Sequence, residues 1–220
     1  MNYLLIDTSN QPLSVAIMDN DTLLAEINND KKVNHSVQLM PAIVSVLEEA
    51  NLTKQDIDSI IVAEGPGSYT GLRIGVTVAK TLAYALNTSL YGVSSLAALV
   101  ATASQQDQLI VPVFDARREA VYAGVYQNKN GYFETVMSDQ YITIEDLLSF
   151  LHADSRPYVF VGTDTEKIAH LLDSDCLPNL PQAHAMKALI SKPVNIHEFV
   201  PNYLKISEAE RNWLAKQNNN

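Results

Sequence analysis

The chain has 220 residues, 47% hydrophobic and 18% charged, with a formal net charge of −10. That is the make-up of a globule large enough for one big domain or two lobes around a substantial core. The acidic balance argues against nucleic-acid binding by the chain alone, since phosphate affinity comes mostly from Lys and Arg, although a partner can supply the basic surface.

A single cysteine, Cys176, excludes an internal disulfide and a thiol metal cluster, and reads as a small buried hydrophobe. The opening run "MNYLLIDTSN" has no basic leader and is broken by Asp7. No stretch approaches the ~18 uncharged apolar residues of a membrane span, so no membrane partner and a cytoplasmic location are expected. The tail "KQNNN" is expected to fray.

In chain order, "YLLID" (3–7), "LSVAIMD" (13–19) and "TLLAEIN" (22–28) read as strands. A helix at 35–52, a strand at 59–64 and a second helix at about 68–87 follow. A short strand at 90–93 and a helix at 95–104 close this half. The second half starts over: strands at 109–116, 119–127 and 131–137, a helix at 143–152, a strand at 158–162 and a helix at 164–173. The order βββαβα occurs twice at an offset of about 107 residues, and the first strand of each half ends in aspartate, Asp7 and Asp115. The fold class expected is α/β, the duplicated two-lobed plan of the actin-like (ASKHA) superfamily. The first lobe takes residues 1–104 with 195–220 returning to it, and the smaller second lobe takes 105–194.

In that superfamily two Asp-x-Gly hairpins grip a nucleotide, the glycine letting backbone N–H groups approach phosphate. This chain has Asp7-Thr8-Ser9 and Asp115-Ala116-Arg117, neither with the glycine, and Pro12 donates no N–H. The hairpin positions Asp7, Thr8, Ser9 and Asp115 therefore read as a vestigial phosphate site, with no intrinsic cofactor, no metal and no catalytic residue expected.

Four of the eight glycines fall in "AEGPGSYTGLRIGV" (63–76): Gly65, Gly67, Gly71 and Gly75. The stretch lacks the lysine of a Walker loop, misses the GxGxxG spacing and fails as a GxSxG elbow. It fits a strand-to-helix turn, capped by Ser68 or Thr70, with Arg73 near the helix start. Along the helix Gly71, Gly75, Ala79 and Ala83 form a ridge without bulky side chains. Val78, Leu82 and Leu86 flank it, Leu72 and Val76 lie further round, and Arg73, Thr77, Lys80 and Tyr84 form a polar strip. On the helix at 35–52, Val37, Leu39, Met40, Ile43, Val44, Val46 and Leu47 go most of the way round. Both helices carry more apolar surface than one sheet covers. Burial by the same chain is one reading. The other, taken here, is a helix-pair interface with another subunit through Leu39, Met40, Ile43, Val44, Leu47, Gly71, Leu72, Gly75, Val76, Ala79 and Leu82. On that reading Gly75→Leu leaves the protomer folded and weakens association.

The stretches "LLIDTS", "HSVQLMPAIVSVLEEA", "GPGSYTGLRIGVTVAKTLAYAL", "GVSSLAAL", "VFDARREAVYAGVY" and "PNYLKISEAERNW" together resemble the TsaB (YeaZ) family over almost the whole chain. The resemblance implies bacterial synthesis of N6-threonylcarbamoyladenosine beside the tRNA anticodon. It implies an actin-like fold without its own active site and a catalytic partner, TsaD, with the ATPase TsaE. It also implies pairing through first-lobe helices, as a homodimer or with TsaD. ATP or ADP and Mg²⁺ then belong to the complex, which tRNA meets as a whole. The catalytic paralogue holds its metal with a His-x-x-x-His pair, whereas here His35 is followed by Leu39, and His152, His170, His184 and His197 lie far away. Arg117 and Arg118 sit at a hairpin tip, where they meet a partner's acidic group, tRNA phosphate or solvent. Trp213 is expected to anchor a C-terminal helix on the first lobe. The rival readings are an active kinase or ATPase of the same superfamily and, less well supported, a metallopeptidase.

Overall fold

The computed structural model describes residues 1–30, 34–103 and 107–205. Trp213 and the C-terminal helix expected around it lie outside the described residues.

The first half forms a five-stranded sheet from β1 (Asn2–Asp7), β2 (Leu13–Asp19), β3 (Thr22–Asn29), β4 (Ser59–Gly65) and β5 (Ser89–Ser94). The second half forms another from β6 (Leu109–Asp115), β7 (Ala120–Lys129), β8 (Tyr132–Thr143), β9 (Tyr158–Val161) and β10 (Cys176–Leu177). The spatial orders are β3-β2-β1-β4-β5 and β8-β7-β6-β9-β10, one pattern used twice. In each sheet the first strand runs antiparallel to the second and parallel to the fourth. The duplication read from element order is thus a duplication of topology, and the fold is actin-like.

The helices follow the same logic. α1 (His35–Glu49) starts at Asn34, whose side chain accepts the Ser36 N–H. α2 (Tyr69–Leu86) starts at Ser68, whose side chain accepts the Gly71 N–H, and stops at left-handed Asn87. Both pack on the first sheet, in a core of Leu4, Ile6, Val15, Ile17, Ile60 and Val62. α3 (Ser95–Ala101) lies between the lobes. Ala98 joins the first sheet's core, Val100 packs with Ile110 and Val161 of the second sheet, and Leu96 and Leu99 meet Phe114. α4 (Ile144–Asp154) covers the second sheet with Leu147 and Leu151.

Three differences from the sequence reading have physical causes. The helix expected over 164–173 is α5 (Thr165–Ile168) continued by a 3₁₀ turn, Ala169–Leu171. β8 runs to Thr143, beyond the expected end at 137, because β7 stays paired with it to the Ala120–Thr143 register. The third concerns the return to the first lobe, expected at 195. A 3₁₀ segment at Ala183–Leu189 already packs there, burying Ala183 and Met186 against Tyr3, Leu5, Ala16 and Met18. The Ala183 N–H donates to Ser14 Oγ at 2.7 Å, and His184 Nδ1 lies 3.0 Å from the Glu26 carboxylate. The second lobe therefore closes near 182.

Candidate docking face and strand tips

At the tip of β1 the chain turns into its own core. Asp7 is 1% exposed; its Oδ1 accepts the Ser9 N–H at 2.8 Å, while Asp7 Oδ2 and Ser9 Oγ have no hydrogen-bond partner. Burial pushes the Asp7 carboxyl above its ordinary value, outweighing the Ser9 contacts that pull the other way. Thr8 Oγ1 donates to the Gly71 carbonyl at 2.7 Å, and the Ser68 N–H donates to the Ser9 carbonyl at 2.6 Å. A Cβ on Gly67 would overlap the Ser9 carbonyl oxygen, one on Gly71 the Thr8 carbonyl oxygen, and one on Gly75 the Thr8 hydroxyl. The glycines are small because β1's own tip lies against α2.

This corrects the interface reading. Gly71, Leu72, Gly75, Val76 and Ala79 are buried on their own lobe, as are Leu39, Ile43 and Leu47 of α1. Leu82 is half-buried against the same core. The ridge faces inward because a helix without side chains along one stripe can approach the β1 tip closely. Of the residues nominated, Met40 and Val44 remain exposed, at 44% and 47%, and Val37 joins them at 65%. Spaced i, i+3, i+7, these three form one outward stripe on α1.

The polar strip of α2 has an owner that sequence reasoning missed. Residues 194–203 run over it as a strap. Lys80 Nζ donates to the Phe199 carbonyl at 2.5 Å, Arg73 Nε to Tyr203 OH at 3.0 Å, and the rings of Tyr84 and His197 meet edge to face at 5.8 Å. Phe199 is buried, with Val194 and Ile196 packed against the first core. The return of the chain to the first lobe from 195 was expected, but the strap has no helical or strand period to show that it covers this strip.

At the tip of β6 the chain turns outward. Asp115 is exposed and its Oδ1 accepts the Arg117 N–H at 2.7 Å. Arg117, Arg118 and Glu119 all stand in the left-handed region, at φ 64, 57 and 56°, a conformation that costs a non-glycine residue about 1–2 kcal/mol. Both arginines are exposed. Beside them lies a pocket of about 400 Å³ lined by Arg118, Glu119, Thr143, Ile144, Glu145, Leu148 and Leu171.

Five backbone amides at the two strand tips are paired within the chain. Ser9 N–H goes to Asp7, Gln11 N–H to Asn10 Oδ1, Arg117 N–H to Asp115, Ala116 N–H to the Ala120 carbonyl and Asp115 N–H to Asp164 Oδ2. His35 Nε2 lies 3.1 Å from the Gln11 carbonyl, and among the described residues no three His, Cys, Asp or Glu side chains converge as metal ligands.

The profile of the family described as TsaD, tRNA N6-adenosine threonylcarbamoyltransferase, matches residues 22–209. A Bacillus subtilis protein named tRNA threonylcarbamoyladenosine biosynthesis protein TsaB is 42% identical over 229 aligned positions, covering 99% of this chain and 100% of that one. The chain belongs to the TsaB (YeaZ) family. The TsaB of Escherichia coli K12 is 27% identical, covering 99% of this chain and 100% of its own. A solved YeaZ structure from Pseudomonas aeruginosa superposes with a TM-score of 0.79 at 26% identity, over 92% of this chain and 99% of that one. The resemblance carried by "GPGSYTGLRIG" and "DARREAVYA" is therefore a family relationship, and the TsaB fold runs through both lobes.

Proposed function

We propose that this chain is a non-catalytic, activating subunit in the synthesis of N6-threonylcarbamoyladenosine in tRNA, pairing with a TsaD-type catalytic paralogue alongside a TsaE-type ATPase. The single observation that carries the pairing is the outward stripe Val37, Met40 and Val44 on a helix whose other face is buried. Covering an exposed side chain of this size stabilises a contact by about 1–2 kcal/mol, so three in a row suit a helix-on-helix interface, with TsaD or with a second copy when alone. The relatives' names supply the pathway, and the paired strand-tip amides favour a subunit without its own phosphoryl chemistry over the kinase reading. Nucleotide and Mg²⁺ are then handled by the complex, tRNA reaches the chain only through it, and the cytoplasm is its place of work.

The test is a reconstituted tRNA-modification assay with TsaD- and TsaE-type proteins, ATP, a threonylcarbamoyl donor and tRNA, with and without this chain. Activity that depends on the chain, with titration calorimetry showing no saturable Mg·ATP binding to it alone, supports the reading. Full activity without it, or turnover of ATP by the isolated chain, overturns it.

A further inference from the structure

Fold members that bind a nucleotide between their lobes use it as the element joining the two strand tips. Here the tips are joined by protein. Asn10, directly after the β1 tip, donates from Nδ2 to Thr163 Oγ1 at 3.0 Å and to Asp164 Oδ2 at 3.4 Å. Asp164 is 7% exposed, and the same Oδ2 accepts the Asp115 N–H at the β6 tip, at 3.3 Å. Lys167 Nζ pairs with its other oxygen at 2.5 Å. One carboxylate thus gathers donors from both lobes and neutralises its charge with a neighbouring ammonium.

A second tie crosses the cleft through the strap. The Asn202 N–H donates to the Glu64 carbonyl at the end of β4, at 2.7 Å. Three residues on, Lys205 Nζ donates to the Ala116 carbonyl at 3.1 Å and stands 4.6 Å from the centre of the Tyr141 ring. Asn202 is therefore held by the first lobe and Lys205 by the second.

We propose that these two latches, Asn10 to Thr163 and Asp164, and Asn202 through Lys205 to Ala116, replace the nucleotide as the device that sets the angle between the lobes. Each latch closes a span at a strand tip, where no phosphate has to enter. Ser94, at the end of β5, donates to Asp139 of β8 and gives a third inter-lobe contact on the α3 side. α3 forms the common floor, and the latches act at the mouth. The consequence is a module whose lobes keep one angle with or without ATP, so that a partner docked on α1 meets the second lobe at a fixed position.

Double electron–electron resonance reads the angle directly. Spin labels go on cysteines introduced at exposed Gln55 in the first lobe and exposed Ser149 in the second, in a Cys176→Ser background. The full chain is expected to give one narrow distance distribution, unchanged by saturating Mg·ATP. Asn10→Ala with Lys205→Ala is expected to broaden it toward longer distances while the circular dichroism spectrum is unchanged. Each single variant is expected to broaden it less, and these keep the test open if the double variant fails to fold. A parental distribution in the variants, or a shift of the parent on adding Mg·ATP, overturns the proposal.

Discussion

At the end of β1 the chain folds back under α2; at the end of the equivalent strand, β6, it stands out in solvent. Both tips follow an aspartate at the same place in two sheets of one topology. Asp7 is buried with one oxygen unpartnered, and the residues after it form the surface on which Gly67, Gly71 and Gly75 rest. Asp115 is exposed, and the residues after it hold two arginines outward through a left-handed turn. Each tip answers to its local packing: Ser9 and Thr8 to α2, Arg117 and Arg118 to solvent. One is core and the other is surface.

The largest effect expected from that contrast is at Gly75. Gly75→Leu raises intrinsic helix propensity by up to about 1 kcal/mol, but its Cβ meets the Thr8 side chain, whose hydroxyl is already bonded to the Gly71 carbonyl. Overpacking such a site typically costs ~1–3 kcal/mol, occasionally more. Urea unfolding should show a net loss of stability of that order. Gly75→Ala should lose less, and Thr8→Ala should partly rescue it in a double-mutant cycle, because it removes the clashing hydroxyl. An unchanged midpoint for Gly75→Leu would put the ridge back on the outside.

Asp7→Asn comes next, with the opposite sign. Burial raises the Asp7 carboxyl, so the folded chain holds that proton more tightly than the unfolded chain. Stability from this group is fully present below the ordinary carboxylate pKa of about 4 and is lost as pH rises through the raised value. At pH 7–8 the asparagine variant avoids the buried charge. A gain on the order of 1 kcal/mol is expected, the low end of the cost of burying a charged group short of partners. The gain should shrink toward zero as pH falls to about 4. A stability difference that is flat with pH would show that Asp7 is not the titrating group.

Arg118→Gly is the smallest. Relief of the left-handed conformation and the greater freedom of glycine in the unfolded chain act against each other, leaving a net gain between zero and about 1 kcal/mol. A loss of more than about 1 kcal/mol in thermal unfolding would show that the guanidinium contributes packing at the β6 tip.

The sequence made the sheets legible because their strands are short apolar runs separated by turn residues, and because the order recurs. The family was legible in "GPGSYTGLRIG". The faces of α2 were not. Its glycine ridge and its polar strip follow helical spacing, but spacing cannot say which face has a neighbour. Thr8 lies far from Gly71 in sequence, and the strap that covers Arg73, Lys80 and Tyr84 follows about 120 residues later. The reading therefore exchanged inside for outside on α2. On α1 Met40 and Val44 are exposed, while Leu39, Ile43 and Leu47 are buried on their own lobe. The left-handed turn at Arg117 to Glu119 left no mark, since no glycine or asparagine stands there.

The central claim is that the outward stripe of α1 receives the partner and the glycine ridge of α2 does not. Sedimentation velocity of Met40→Glu with Val44→Glu, beside Gly75→Ala, tests it most directly, each alone and with the TsaD-type subunit, with melting temperatures recorded in parallel. The account predicts that the α1 variant keeps its melting temperature and loses at least about tenfold in association, the equivalent of ~1.4 kcal/mol. The Gly75 variant should melt earlier, yet associate like the parent at a temperature where both are folded. Normal association by the α1 variant, or weakened association with an unchanged melting temperature in the Gly75 variant, would contradict it.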